Sequence, residues 1–323
     1  MRRALVIFAA WMAAAAAGLL LKNDYFASVA TAMAFLALWA QSWNLLCGLT
    51  GNISLGHSVF VAVAAYVTVI LFQQAGVSPL LGGLLGILGS VVLASIVGAA
   101  TLRLRGPYFT LATLSAAAVV LSLILHYSQL TGGPSGLAIT FAQDSPFDLE
   151  FTNVRAYFLI ATGLLAAVTL FLDFLKRSKL GFYIAAIKSS EEAAAAAGIR
   201  VALVKVIVFC LSAALTALGG VVYVFYIGFM DPNFLSGLTL SVEIALIAVV
   251  GGMDYLIGPI IGAIFYEAID VAANATFGAS GGWDVMLLGF AVVVMVMTEP
   301  RGLCELTIRL LRLIHRRPAR FWS

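Results

Sequence analysis

Apolar residues fill this chain in runs long enough to cross a bilayer, and its polar positions stand out because they are few. Runs of roughly twenty residues, the length a helix needs to span ~30 Å of hydrocarbon, fall at 4–21, 27–47, 54–72, 79–101, 107–127, 154–174, 202–228, 235–251, 257–276 and 283–298. The pattern predicts an all-α polytopic membrane protein with about ten membrane-embedded helices. Clustered glycines inside several runs predict that one or two of them are broken or re-entrant. The longest polar break is Leu180–Lys205, LGFYIAAIKSSEEAAAAAGIRVALVK, with Lys176, Arg177 and Lys179 just before it.

A small helix can be delimited inside that break. Ser189 and Glu192 stand three apart, the spacing of a capping box. Glu191 and Glu192 place negative charge on the first turn, where the helix dipole favours it. Ala193 to Ala197 are strong helix formers, and Gly198 supplies a left-handed stop. About two turns cannot stand alone in water. Such a helix either packs on its own protein as a connector or docks a partner through its small-residue face; local sequence leaves both open.

Composition agrees with the pattern. The 323 residues are 63% hydrophobic and 10% charged, far from the ~45–50% and ~25% of soluble domains. The chain reads as one transmembrane domain over 1–323. Cys47, Cys210 and Cys304 lie far apart, with no His or Cys at ligand spacing, and read as small apolar residues. The apolar stretch Ala4–Leu21 exceeds a signal-peptide core of roughly 7–15 residues and reads as a retained first span.

The net charge of +3 matters less than its distribution. With ten crossings and a cytoplasmic N-terminus, one side collects Arg2, Arg3, Arg103, Arg105, Lys176, Arg177, Lys179, Lys188, Arg200, Lys205, Arg301, Arg309, Arg312, Arg316, Arg317 and Arg320. The other keeps Lys22 and Arg155, with Asp144, Asp148 and Glu150 in its long loop. The basic excess marks the cytoplasmic side. Both termini, the loop 176–205 and the basic tail 301–323 are therefore expected in the cytoplasm. The tail has Leu303, Leu306, Leu310 and Leu313 at helical spacing and reads as an interfacial helix on anionic lipid, with His315 solvated.

Four stretches break the membrane pattern. In CGLTGNISLGHSVF, Gly48, Gly51 and Gly56 interrupt the run, and Asn52, Ser54, His57 and Ser58 are polar near bilayer depth. Irregular backbone there survives only inside protein or along a wet cavity. Gly51, Asn52, Ser54, Gly56, His57 and Phe60 are accordingly candidate pathway residues, although His57 also reads as bonded to a neighbouring carbonyl. RLRGPYFTLATL brings Tyr108 and Thr113 into the membrane behind a Gly106–Pro107 break, with Pro107 suited to the first helical position. TGGPSGL is a tight outer turn. VVGGMDYLIGPIIGA loosely echoes the first stretch, as an inverted repeat would. Glu243 is taken as the single intramembrane acid, hence a functional candidate.

The absences narrow the class. There is no G-x-x-x-x-G-K-[ST] phosphate loop, no acid–base cluster and no arginine ladder. The chain reads as a pathway without an engine and not as an enzyme. The alternative is an ion-coupled secondary transporter or passive channel for a small polar solute.

GLTGNISLGHSVFVAVAAY, GPYFTLATL, TGGPSGL, SKLGFYIAAIKSSEEAAAAAGI and IAVVGGMDYLIGPIIGA follow one another in order. Together they resemble the permease subunits of bacterial branched-chain amino-acid ABC importers, of the LivM type, from about Gln41 to Leu303. Glu192, Ala193, Ala194 and Gly198 are similar to that family's E-A-A-x-x-x-G segment, which the resemblance assigns to docking on the ATPase. Ser189 and Glu191 belong to the same coupling segment. Phe182 and Lys188 stand where the family usually has arginine. The resemblance implies a bacterial inner-membrane protein that binds no cofactor itself, with ATP and Mg used by partner subunits. It also implies a second, LivH-type permease, two ATP-binding subunits, a periplasmic solute-binding protein, contact with membrane lipid and no nucleic acid. The implied solute is a branched-chain amino acid or a related small solute such as urea, an amide or an aromatic acid.

Overall fold

The computed structural model describes residues 11–12, 23–104, 106–140, 149–277, 283–298 and 302–314. It is all-α apart from one two-residue strand pair. The long helices are α1 (Asp24–Thr50), α2 (Ser58–Ala75), α3 (Pro79–Thr101) and α4 (Pro107–His126). After a single turn, α5 (Ser128–Thr131), come the strand β1 (Leu137–Ala138) and the helix α6 (Val154–Arg177). Two short helices follow, α7 (Lys179–Ser189) and α8 (Glu191–Ala196), then the long α9 (Val201–Ile227). The remainder is β2 (Phe229–Met230), α10 (Pro232–Leu235), α11 (Leu238–Gly251), α12 (Gly258–Phe277), α13 (Trp283–Thr298) and α14 (Leu303–Ile314).

Among the described residues, α1, α2, α3, α4, α6 and α9 are long and apolar enough to span a membrane. The other expected runs differ for visible reasons. The run at 235–251 is split at Ser236–Gly237, leaving the 14-residue α11. At ~1.5 Å per residue that helix is about 21 Å long, short of ~30 Å of hydrocarbon. Helix α12 is long enough but carries Glu267 and Asp270, and α13 has 16 residues. The expected first span at 4–21, apart from Trp11 and Met12, lies outside the described residues, as do Asp144, Asp148 and the tail beyond Ile314.

The core forms around α1, which packs on α6, α9, α11 and α12, while α2, α3 and α9 pack on one another. Trp39, Trp43, Phe35, Phe109, Phe209 and Phe225 are its largest fully buried side chains. The outer faces are as apolar as the core: Leu80, Leu84, Leu88, Val92 and Ile96 lie exposed along α3. That inversion of the soluble rule is what a lipid solvent allows.

The turns between helices collect at two ends. One end holds 50–56, 102–104, 106, 177–200, 251–258 and the start of α14. There Gly106 faces Ser190 and Glu191 across a cleft, Lys188 pairs with Asp254, and Gly302 packs on Gly252. The other end is bridged by antiparallel β1 and β2, with Leu137 opposite Met230 and Ala138 opposite Phe229.

Candidate functional site

The site is built at the α8 end, where a re-entrant backbone segment meets the small helix. Helix α1 ends at Thr50, and residues 51–56 then turn back into the bundle before α2 starts at Ser58. Several of its backbone groups are met by side chains. Ser54 N–H donates to Cys47 Sγ at 3.3 Å, and Trp43 Nε1 donates to Ser54 O at 2.7 Å. Leu55 N–H donates to Thr113 Oγ1 at 3.2 Å, and Thr110 Oγ1 donates to Ile53 O at 2.8 Å. Where backbone leaves regular structure inside a bundle, such substitutes for helical bonds are what it requires. Gly56 is demanded by closeness: a Cβ there would lie 2.5 Å from the Thr113 carbonyl oxygen.

His57 sits at the bottom of this segment, fully buried. Its Nε2 is 2.9 Å from Ser212 Oγ and its Nδ1 is 3.1 Å from Ser54 Oγ. Ser212 Oγ donates its one proton to Ser42 O at 2.6 Å, so it must accept from His57 Nε2–H. In a neutral ring, Nδ1 is then the acceptor for Ser54 Oγ. The neighbouring carbonyl expected for His57 is thus replaced by two hydroxyls. Ser58 is held in the same way, its N–H donating to Ser241 Oγ at 3.0 Å. Ser212 lies eleven residues inside α9, about 16 Å along its axis. The break therefore reaches well into the span.

Helix α8 lies above the mouth of the break. Thr50, Gly51, Asn52, Gly106, Ser190, Glu191 and Glu192 line an open cleft of about 390 Å³. The N-cap is Ser190, whose Oγ accepts from Ala193 N–H at 3.2 Å. This corrects the expected Ser189–Glu192 box: Ser189 closes α7, its Oγ donating to Ala185 O at 3.1 Å. Gly198, at φ +87°, ends the helix as expected, and Ile199 N–H returns to Ala194 O at 3.1 Å. Ala194 is buried beneath the helix, while Glu192 and Ala193 are exposed. Two ion pairs hold the hairpin. Lys188 Nζ is 2.8 Å from Asp254 Oδ1 at the surface, and buried Lys205 binds Glu191 Oε1.

The nominated residues thus fall into separate groups. Ser190, Glu191 and Glu192 share the cleft with Gly51 and Asn52. Ser54, Gly56, His57, Phe60 and Thr113 are buried together in the break. Tyr108 is 69% exposed on the outer face of α4. Glu243 lies apart on α11, hydrogen-bonded by Tyr266.

Glu243 is also not alone among the acids of this part of the bundle. Glu267, 8% exposed, and Asp270 share its electrostatic neighbourhood. Their spacing of three puts both on one face of α12, a signal present in the sequence. Lys205, an isolated lysine one turn into an apolar helix, was equally legible as a charge in need of a partner.

Residues 25–297 match the family described as branched-chain amino acid transport system, permease component. The chain is 27% identical over 292 residues to the high-affinity branched-chain amino acid transport system permease protein LivM of Salmonella typhimurium, covering 82% of this chain. That match spans 66% of the relative's length. LivH of Escherichia coli is 25% identical over 289 residues, covering 83% of this chain and 90% of its own. The fructose import permease protein FruG of Bifidobacterium longum is 26% identical over 291 residues, covering 87% and 84%. No solved structure matches the chain. The family match runs from α1 through α13, across both the re-entrant segment and α8, and the chain belongs to the branched-chain amino acid transport permease family.

Proposed function

We propose that this chain is one of two nonidentical permease subunits of a binding-protein-dependent ABC importer, taking branched-chain amino acids or a related small solute. A receptor outside delivers solute, and two ATPase subunits inside grip α8. The permeases alternate access along a path beside the Asn52–Phe60 break. Both termini lie in the cytoplasm, and the chain makes about ten membrane-embedded passes, α11, α12 and α13 among them.

One observation carries the reading: α8 is a capped, glycine-stopped helix with an exposed alanine face, poised over the mouth of a re-entrant segment. The charge distribution supports its sidedness. Arg103, Lys176, Arg177, Lys179, Lys188, Arg200 and Lys205 sit at the α8 end, and Arg155 at the other. Similarity to both LivM and LivH supports a paired permease, and similarity to FruG widens the solute class.

Gly198→Trp or Glu192→Lys, in vesicles holding both permeases, the ATPases and the receptor, is expected to uncouple hydrolysis from uptake. Full solute-stimulated hydrolysis with uptake in both variants would overturn the reading. Vesicles without the ATPases should concentrate no solute; accumulation there would favour the ion-coupled alternative, which the Glu243–Glu267–Asp270 group makes worth testing.

A further inference from the structure

We propose that the Glu191–Lys205 ion pair is a register latch joining α8 to the hydroxyl–imidazole network of the re-entrant break, which makes Lys205 a positioning residue for transport. The proposal rests on the importer reading above.

Lys205 is 2% exposed, on a helix otherwise apolar for its first three turns, and its ammonium meets the Glu191 carboxylate at the first residue of α8. With Lys205 buried and Glu191 37% exposed, the pair is desolvated on the lysine side. A buried charge recovers little stability compared with an apolar side chain of the same size, and its best-attested use is to select one register. Register is what α8 otherwise lacks. The helix has six residues, and its one buried side chain is the Ala194 methyl. A methyl on a small face tolerates sliding and rotation, whereas a paired charge does not.

The other end of the link lies on the same stripe of α9. Ser212 follows Lys205 by seven residues, two helical turns, so both point in nearly the same direction about 10 Å apart along the axis. Ser212 Oγ donates to Ser42 O and accepts from His57, which in turn accepts from Ser54 Oγ. A push on α8 therefore reaches the break through one ion pair, two turns of unbroken helix and two hydrogen bonds. The second tie of the hairpin, Lys188–Asp254, leads instead to the turn between α11 and α12, and both of its side chains are exposed. Solvent screens that pair, and it fixes register less firmly.

The test uses the whole importer in proteoliposomes: this chain, its sister permease, the two ATPases and the receptor. The variants are Lys205→Met, Glu191→Gln, the swap Lys205→Glu with Glu191→Lys, and the apolar pair Lys205→Met with Glu191→Leu. Three quantities are read: ATPase copurification, solute-stimulated hydrolysis and solute moved per ATP. Lys205→Met is expected to lower solute per ATP about tenfold, within the usual range of inter-site coupling, while the ATPases still copurify. The swap should restore most of that loss. The apolar pair should restore thermal stability without restoring coupling. Full coupling in Lys205→Met, or in the apolar pair, overturns the latch. If Lys205→Met does not accumulate, Glu191→Gln carries the same expectation at a more exposed position. A wild-type assembly without solute-dependent hydrolysis overturns the importer reading, and the latch with it.

Discussion

The loops at the α8 end are joined mainly through charged side chains, whereas those at the opposite end share a backbone ladder beside one exposed ion pair, Arg155–Asp24. At the first, Lys205 reaches Glu191, Lys188 reaches Asp254 and Tyr255 reaches Glu305. At the second, β1 and β2 share a ladder extended by Ile139 N–H to Gly228 O at 2.9 Å. Gln73 Nε2 donates to Ala138 O at 2.9 Å beside it. Backbone ladders hold one geometry; long charged side chains can release and pair again. On the importer reading proposed above, the ladder end would be the fixed one and the α8 end the one that works.

The comparison breaks most violently at the re-entrant segment. Gly56→Leu would drive a Cβ to within 2.5 Å of Thr113 O and 3.3 Å of Thr113 Cβ. Backbone cannot yield as a flexible side chain would, so we expect a loss of about 3 kcal/mol, the upper range of overpacking. It would be read as lost monodisperse yield and a lowered melting temperature in detergent. Near-normal stability would mean that the segment can move aside and that the α8 end is looser than its packing implies.

His57→Leu is the next test. It leaves the Ser54 and Ser212 hydroxyls each short of a partner, at a cost of about 1–3 kcal/mol. Adding Ser212→Ala should then cost less than it does alone, because the network is already broken; a thermal-melt double-mutant cycle measures this. Strict additivity would show that His57 and Ser212 do not act together.

Much of this was legible in the residues, and the remainder was hidden for identifiable reasons. Helices α3 and α6 begin within one residue of the expected apolar runs because Pro79 and Asn153 punctuate them. Gly198 marked the end of α8 because few other residues adopt its left-handed φ. The N-cap was misassigned by one residue because Ser189 and Ser190 are chemically equivalent, and only the length of α7 decides between them. The break announced itself through Gly51, Asn52 and Gly56. Its inward course did not, since that depends on Trp43, Thr110 and Thr113 supplying partners from other helices. The Glu191–Lys205 pair spans fourteen residues across a helix boundary, a spacing with no local signature.

The smallest expected effect is the most discriminating between the two ends, and it uses two exposed carboxylates as matched probes. Asp254 pairs with Lys188 at 2.8 Å at the α8 end, and Asp24 pairs with Arg155 at 3.3 Å at the other. Their side chains are 67% and 78% exposed. Solvent screening makes either pair worth at most about 1 kcal/mol, less at high salt. Asp254→Asn and Asp24→Asn should therefore lower the melting temperature by similar, small amounts that fade as salt is raised. Their effects on transport should part. Asp254→Asn loosens the hairpin that carries α8 and should lower solute moved per ATP about fivefold, the low end of allosteric coupling. Asp24→Asn should leave that ratio unchanged, because nothing at its end has to release. Equal transport losses would mean that both ends move, and the division between a fixed end and a working end would fall.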